Sequence, residues 1–313
     1  MTQRSTVAGP GRRESAVDSP APRHPWSLPL AGGRALELGA HPLVMGVVNI
    51  TPDSFSDGGL HLDPGRACDH ALRLLEEGAD LLDLGAESTR PGGGVYGAGA
   101  PSVPAAEERG RLIPVLRRLR SETTAPLSVD TRKASVARAA LDEGADLIND
   151  VSALGDPEMA PLVAGRRAPI VLMHSRGELS TMQRGIRFDD VVAEVHAELA
   201  ETLARAASLG IARELTLIDP GIGFGKTPEQ NLELLARLDA LHALGRPILV
   251  GASRKSFIGR ITGQAAPERL AGSLAAAAWA LSGGAQVLRV HDVAETARFL
   301  AVWTAIDAAR GGP

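Results

Sequence analysis

The chain has 313 residues, 44% hydrophobic and 22% charged, which is enough apolar material for one large core and a length that suits a single α/β barrel. A formal net charge of −4 excludes bulk attraction to nucleic acid or to an anionic membrane, so the expected partners are small molecules and any anion must be met by local cations. One cysteine, Cys68, excludes an internal disulfide, and no apolar run approaches the roughly 20 residues of a membrane span, so the expectation is a soluble, cytoplasmic protein.

Residues 1–26 mix Pro, Gly, Ser, Arg and acids without an apolar stretch and read as a disordered tail rather than a secretory signal; Glu14 and Asp18 also count against a transit peptide. The remainder, 27–313, is expected to form one domain. WSLPLAGGRALELGAHP, at 26–42, alternates apolar and polar residues about Gly32 and Gly33 and predicts a hairpin that plugs the bottom of a barrel. Short apolar strands follow at about 43–48, 80–84, 126–129, 146–149, 169–173, 215–218, 247–250 and 285–289, with helix-length segments between most of them. In PGRACDHALRLLEE (64–77), Leu72 and Leu75 are spaced for one buried helical face, and Gly78 is the expected C-terminal cap. GADLLDLGAES (78–88), GADLINDVSAL (144–154) and GAQVLRVHDV (284–293) form a weakly marked repeat. Apolar strands separated by helices indicate parallel pairing, compatible with a doubly wound sheet or a closed barrel; eight evenly spaced strands favour a (β/α)8 TIM barrel.

Each strand runs into polar residues: Asn49, Asp83 with Glu87, Asp130, Asn149, His174, Asp219, Ser253 with Lys255, and Arg289 with His291. In a barrel these ends share one face, so residues scattered from 49 to 291 converge there; taken singly, each could equally cap the helix that follows.

Three chemical groups emerge. Asn49, in VVNITPDSFSDGG (47–59), offers a neutral amide oxygen suited to Mg²⁺ that keeps most of its waters and takes further ligands from substrate phosphates; an Asx-turn is the plainer alternative. GAESTRPGGG (85–94) supplies Thr89 and Arg90, whose guanidinium suits a phosphate fork, and the alternation in RVH sends Arg289 and His291 to the same side of the last strand as a second cationic pair, a candidate pyrophosphate clamp. Asp130, Asn149, Asp219 and Lys255 suit the edge of a flat heterocycle, because carboxylates accept from ring N–H groups while Lys and Asn donate to ring O or N; a structural Asp219–Lys255 salt bridge is the competing reading. DPGIGFGKT (219–227) has Asp219 and Pro220 where a phosphate loop needs its first Gly, which excludes an ATP site, and Phe224 serves either as a wall for a planar ring or as ordinary core.

NITPDSFSDGG, GAESTRPG, SVDTRK, INDVS, VLMH with TMQ following, DPGIGFGK, GASRKSFIG and RVHDV, in this order over about 42–296, resemble the signatures of the dihydropteroate synthases. The resemblance implies a Mg²⁺-dependent enzyme of folate biosynthesis that condenses dihydropterin diphosphate with 4-aminobenzoate by an SN1-like route, and a homodimer. It implies that Asp130, Asn149, Asp219 and Lys255 hold the pterin, with Met173 and Phe224 at its faces or rim, and that Asn49 sits on Mg²⁺. Thr89, Arg90, Arg289 and His291 would take the diphosphate, while Ser54, Phe55, Pro91 and Ser256 would lie near the aminobenzoate, beneath the closing segments 51–59 and 89–103. Of these, Asp130, Lys255, Arg90, Arg289 and His291 form the expected catalytic set, with no dedicated base. Ala86 stands where the family often has Gly, 92–104 is longer than usual and bears on Tyr96, and HSRGELSTMQ (174–183) lacks the usual Pro after its Gly. The rival readings are a pterin-dependent methyltransferase, which would share Asp130, Asn149 and Asp219 but need no diphosphate clamp, a non-catalytic pterin-binding paralogue, and a Schiff-base aldolase using Lys255.

Overall fold

Apolar runs too short for helices and bounded by Gly or Pro become eight parallel strands: β3 (Leu43–Asn49), β4 (Leu81–Gly85), β5 (Leu127–Asp130), β6 (Leu147–Asp150), β7 (Ile170–Met173), β8 (Thr216–Asp219), β9 (Leu249–Val250) and β10 (Val287–Val290). The structure, a computed structural model, describes residues 23–51, 63–87, 102–177 and 182–310. Neighbouring strands run β8-β7-β6-β5-β4-β3-β10-β9. The ring closes where Ile218 bridges Ile248, with the Ile218 N–H donating to Pro247 O at 3.0 Å. A closed barrel, not a doubly wound sheet, is therefore what the eight expected strands build.

The outer ring consists of α1 (Pro64–Glu76), α2 (Ala105–Glu122), α3 (Ala134–Asp142), α4 (Met159–Arg166), α5 (Val191–Ser208), α6 (Pro228–Ala236), α7 (Ser256–Thr262), α8 (Leu270–Ser282) and α9 (Val293–Arg310). Three of their starts are set by side-chain caps: Asp63 accepts from the Gly65 N–H at 2.8 Å, Asp190 accepts from Val192 and Ala193, and Thr227 forms a capping box with Gln230. The three repeated segments share a physical cause, because Gly78, Gly144 and Gly284 take φ of 107°, 93° and 84° at the turn from helix into β4, β6 and β10. The buried face of α1 is centred on Ala67, Cys68, Ala71 and Leu74, with the expected Leu72 and Leu75 at its partly buried flanks.

The expected hairpin is present as β1 (Trp26–Pro29) and β2 (Ala35–Leu38), paired antiparallel with Trp26 opposite Leu38. Its Leu28, Leu30 and Leu38 join Leu43, Met45, Leu81, Leu147, Val171, Leu217, Leu249 and Val287 in one apolar cluster, which closes the N-terminal end of the barrel. Arg34 pairs with the buried Asp146, which also accepts from the Leu127 N–H at 2.9 Å and from Arg120 at 2.8 Å, so the hairpin is tied to the foot of the sheet. Ahead of the hairpin, Arg23 donates to Asp307 at 3.0 Å and lies over the Trp303 ring.

Because Leu28 is fully buried in this plug, Leu28→Ala is expected to lower the unfolding free energy by about 2–5 kcal/mol. Chemical denaturation measures it, and a loss below about 1 kcal/mol would refute the plug as a stabilising layer.

Candidate active site at the C-terminal mouth of the barrel

Side chains alternate along a strand, so a residue two positions beyond an inward apolar one also points inward. Leu81, Leu147, Val171, Leu217 and Val287 line the plugged bottom, and the same parity carries Asp83, Asn149, Met173, Asp219 and Arg289 into the layer above. Register sets Asp130 beside Gly85 and Asn149, and Met173 beside Asp219. The centre of this layer is an ion triad. Arg289 donates from Nε to Asp83 Oδ2 at 2.6 Å and from Nη2 to Asp130 Oδ2 at 2.9 Å, and Asn149 Nδ2 donates to Asp83 Oδ2 at 3.0 Å. Neither Arg289 bond uses Nη1. Asp83 Oδ1, Ser128 Oγ and Asp130 Oδ1 are buried without a partner among the described residues. Burial pushes Asp130 up to about 7, against the pull of Arg289 and with the push of Asp83.

Lys255 and Asp219 are the other half of the expected ring-reading set. Burial raises Asp219, opposed by the Gly221 N–H, which donates at 2.7 Å, and by the charges of Lys255, Arg289 and Lys226. Lys255 is pushed down to about 8 by burial, with Asp219 pulling the other way. Among the described residues the two form no direct ion pair; Lys255 Nζ lies 4.1 Å from the centroid of the Phe224 ring instead. Arg254 directs it there. This residue holds a left-handed φ of 57°, secured by its pair with Asp292, by the Ser273 Oγ that accepts its N–H at 2.9 Å, and by Arg269, which donates to its carbonyl at 3.0 Å. Phe224 and Met173 belong with Val151 and Met182 to a small apolar cluster separate from the main core.

His291 differs from expectation in charge. Burial, then the neighbouring Arg289 and Arg254 guanidinium groups, lower it to about 3, so the expected cationic pair reduces to one cation and one neutral ring. Ser253 Oγ accepts from the His291 backbone N–H at 3.2 Å and sits 3.1 Å from Nδ1, which leaves Nε2 for a ligand. Asn49 ends β3 exposed, and Ser256 opens α7 beside Lys255. Ser54, Phe55, Thr89, Arg90, Pro91 and Tyr96 lie outside the described residues. Glu87 is structural. Its burial is outweighed by Arg132, Lys133 at 2.8 Å and the Val103 N–H at 2.9 Å, which hold its carboxyl near 2. Of the unusual positions, Ala86 is buried with its carbonyl accepting from Arg111 at 3.1 Å, and Gln183 donates to Gly223 O at 2.9 Å.

Two residues without an expected role lie within or against this layer. Asp83 was visible only as a polar strand end, yet it anchors both Arg289 and Asn149; its signal is an acid two positions beyond the inward Leu81, in a layer that also holds an inward Arg. Lys226, dismissed with the phosphate-loop reading, is buried with its ammonium turned onto the carbonyls of Gly221 and Phe224.

No described helix is long and apolar enough to cross a membrane. The sequence model of one family, described as pterin binding enzyme, matches residues 45–291. The Escherichia coli K12 dihydropteroate synthase is 44% identical over 272 residues, covering 87% of this chain and 94% of that one. Among solved structures, the Xanthomonas albilineans dihydropteroate synthase with 4-aminobenzoic acid superposes with a TM-score of 0.82 at 51% identity, covering 90% of this chain and 99% of that one. The same protein in complex with 7,8-dihydropteroate gives 0.80 at 48% identity, with the same coverage. By family match, identity and coverage, the chain belongs to the pterin-binding enzymes and, within them, to the dihydropteroate synthases of folate biosynthesis.

Proposed function

We propose that this chain condenses (7,8-dihydropterin-6-yl)methyl diphosphate with 4-aminobenzoate, giving 7,8-dihydropteroate and pyrophosphate. One observation carries the residue-level reading: Asp130 spends one oxygen on Arg289 and leaves the other without a partner among the described residues, in a layer shared with Asn149 and Asp219. A buried polar atom of this kind calls for a ligand donor. The molecules bound to the Xanthomonas relatives support the choice of substrates.

The roles follow from donor and acceptor chemistry. Asp130 and Asp219 accept from ring N–H and amino groups, Asn149 Oδ1 accepts beside them, and Lys255 donates to a ring O or N. Phe224 and Met173 flank the ring and exclude water. Heterolysis of the methylene C–O bond sends the electron pair out with pyrophosphate, and the carboxylates stabilise the positive charge left on the pterin methylene. Arg289 through Nη1 and His291 through Nε2 receive the leaving group, joined by Thr89 and Arg90. The arylamine nitrogen then bonds the methylene carbon and loses its proton to solvent or pyrophosphate, so no general base is assigned. The donor set also fits Mg²⁺ brought by the substrate: Asn49 is exposed at the mouth, and among the described residues no three His, Cys, Asp or Glu side chains group as a metal cage. Mg²⁺ held by Asn49 and the diphosphate would neutralise charge on the leaving group. Ser54, Phe55, Pro91 and Ser256 are assigned to the aminobenzoate. We place the enzyme in the cytoplasm, in keeping with the single buried thiol of Cys68, and as a homodimer through α8 and α9, whose Trp279, Val302 and Ile306 are each about 60% exposed.

Mixing the two substrates with Mg²⁺ is expected to release pyrophosphate; no release above a protein-free blank overturns the catalytic reading. Arg289→Lys keeps a cation between Asp83 and Asp130 but loses the fork, so KM for the diphosphate ester is expected to rise at least about tenfold, while the affinity for the pterin alcohol, which lacks phosphate, changes little. Equal losses for both would sink the clamp.

Asp130 must be ionised to accept from the ring. With its folded pKa raised to about 7, its carboxylate is populated above that pH and lost below it, so affinity for the pterin alcohol is expected to weaken as pH falls through 7, by up to about tenfold per unit. Asp130→Asn removes this dependence; an unchanged profile in that variant would contradict the assignment. For the dimer, light scattering is expected to give twice the 32.5 kDa chain mass, falling towards one chain in Trp279→Glu. A variant that stays dimeric would exclude this surface.

A further inference from the structure

One thoroughly bonded buried charge near the mouth, Lys226, meets a proposed pterin residue only through the Phe224 backbone carbonyl. Lys226 is 2% exposed, and its ammonium has three donors and no acceptor. It meets His174 Nδ1 at 2.9 Å, Phe224 O at 3.0 Å and Gly221 O at 3.1 Å. Nδ1 must therefore accept, which places the proton of the neutral imidazole on Nε2, 3.0 Å from Glu198 Oε2. Burial and the Lys226 charge lower His174 to about 4, consistent with that neutral form. Arg176 holds the far carboxylate oxygen, donating from Nε at 2.8 Å. A chain Arg176–Glu198–His174–Lys226 thus runs from α5 to the segment 219–226.

That segment is a turn of unusual tightness. Gly221 takes φ of 68°, and a Cβ there would lie 1.9 Å from His174 O; Gly225 takes φ of 59°, with a Cβ site 3.1 Å from Arg176 O. At Gly221 and Gly225 the backbone is pressed against His174 and Arg176, and Lys226 draws together the two carbonyls, of Gly221 and Phe224, that bound the turn. The Asp219 carboxylate accepts from Gly221 at one end, and the Phe224 ring lies under Lys255 at the other. The Lys226 charge also favours the ionised form of Asp219, which burial opposes.

We propose that Lys226 is a positioning residue for the pterin half of the reaction: held by Glu198 through His174, its ammonium shapes the 219–226 turn so that the Asp219 carboxylate and the Phe224 ring face the pterin. This rests on the reading of Asp219 and Phe224 as pterin contacts. A purely structural lysine would lower stability and both substrate affinities together, whereas a positioning lysine acts on one substrate.

The test uses Lys226→Met, Glu198→Gln and Asp219→Asn in the full chain, with KM for each substrate, kcat and Tm. Lys226→Met is expected to raise KM for the pterin diphosphate about tenfold or more and to leave that for 4-aminobenzoate within about twofold. Glu198→Gln still accepts from His174 but loses the charge, so it is expected to raise the same KM about two- to fivefold with Tm nearly unchanged. Equal rises in both KM values, or an unchanged pterin KM in Lys226→Met, overturn the proposal. If Lys226→Met does not fold, an unchanged pterin KM in Glu198→Gln overturns it. Asp219→Asn separates the two levels: no effect on pterin KM defeats the underlying pterin reading, while an effect there without one in Lys226→Met defeats this inference alone.

Discussion

Arg289 between Asp83 and Asp130 is the interaction on which the rest of the mouth depends. Three strands, β4, β5 and β10, each contribute one member, and β3, lying between β4 and β10, contributes none. Two carboxylates buried together repel each other and lose their hydration, a cost that the guanidinium between them offsets. It also fixes one oxygen of each by a hydrogen bond. Removing one partner of such a buried set typically costs about 3–5 kcal/mol, which makes the triad a constraint on barrel closure as well as on the site. Asn149 is oriented by the same acid, so the ring-reading amide and the cation share one anchor.

The barrel separates stability from chemistry along its axis. At the bottom, the hairpin leucines and the first inward residues of most strands form a dry apolar layer whose polar edge is closed by the Arg34–Asp146–Arg120 set. One step up, four of these inward positions are Asp83, Asn149, Asp219 and Arg289. This second layer could not be stable without the first, because its orphaned oxygens and raised acids cost folding energy that the apolar layer and the helix-facing core must offset.

That axial division explains what was legible in the sequence. Strand count, hairpin and glycine turns depend on local periodicity and backbone freedom, and Gly78, Gly144 and Gly284 announced themselves by recurring before apolar runs. The ring-reading residues were legible because each sits at or just after a strand end. What was not legible was which groups meet. Asp83 looks like one more polar strand end until register and parity set it against Arg289, and Lys226 looks like part of a failed phosphate loop until the turn folds back on it. The neutrality of His291 follows first from burial and then from two guanidinium groups, one of them thirty-seven positions upstream in Arg254, and no local pattern carries that information.

The charges of the mouth are poised rather than settled. Burial raises Asp130 and Asp219 and lowers Lys255 and Lys226, so each group sits closer to losing its charge than it would in water. A neutral heterocycle with ring donors stabilises the ionised acids, and an anionic leaving group compensates the cations. A substrate that carries both, joined by one methylene, therefore completes the charge set at its two ends at once. In the proposed reaction the bond that breaks lies between those ends, where the carboxylates would favour the cation that forms and Arg289 the anion that departs. Differential stabilisation of the separated charges, rather than proton transfer, is then the work the architecture is suited to do.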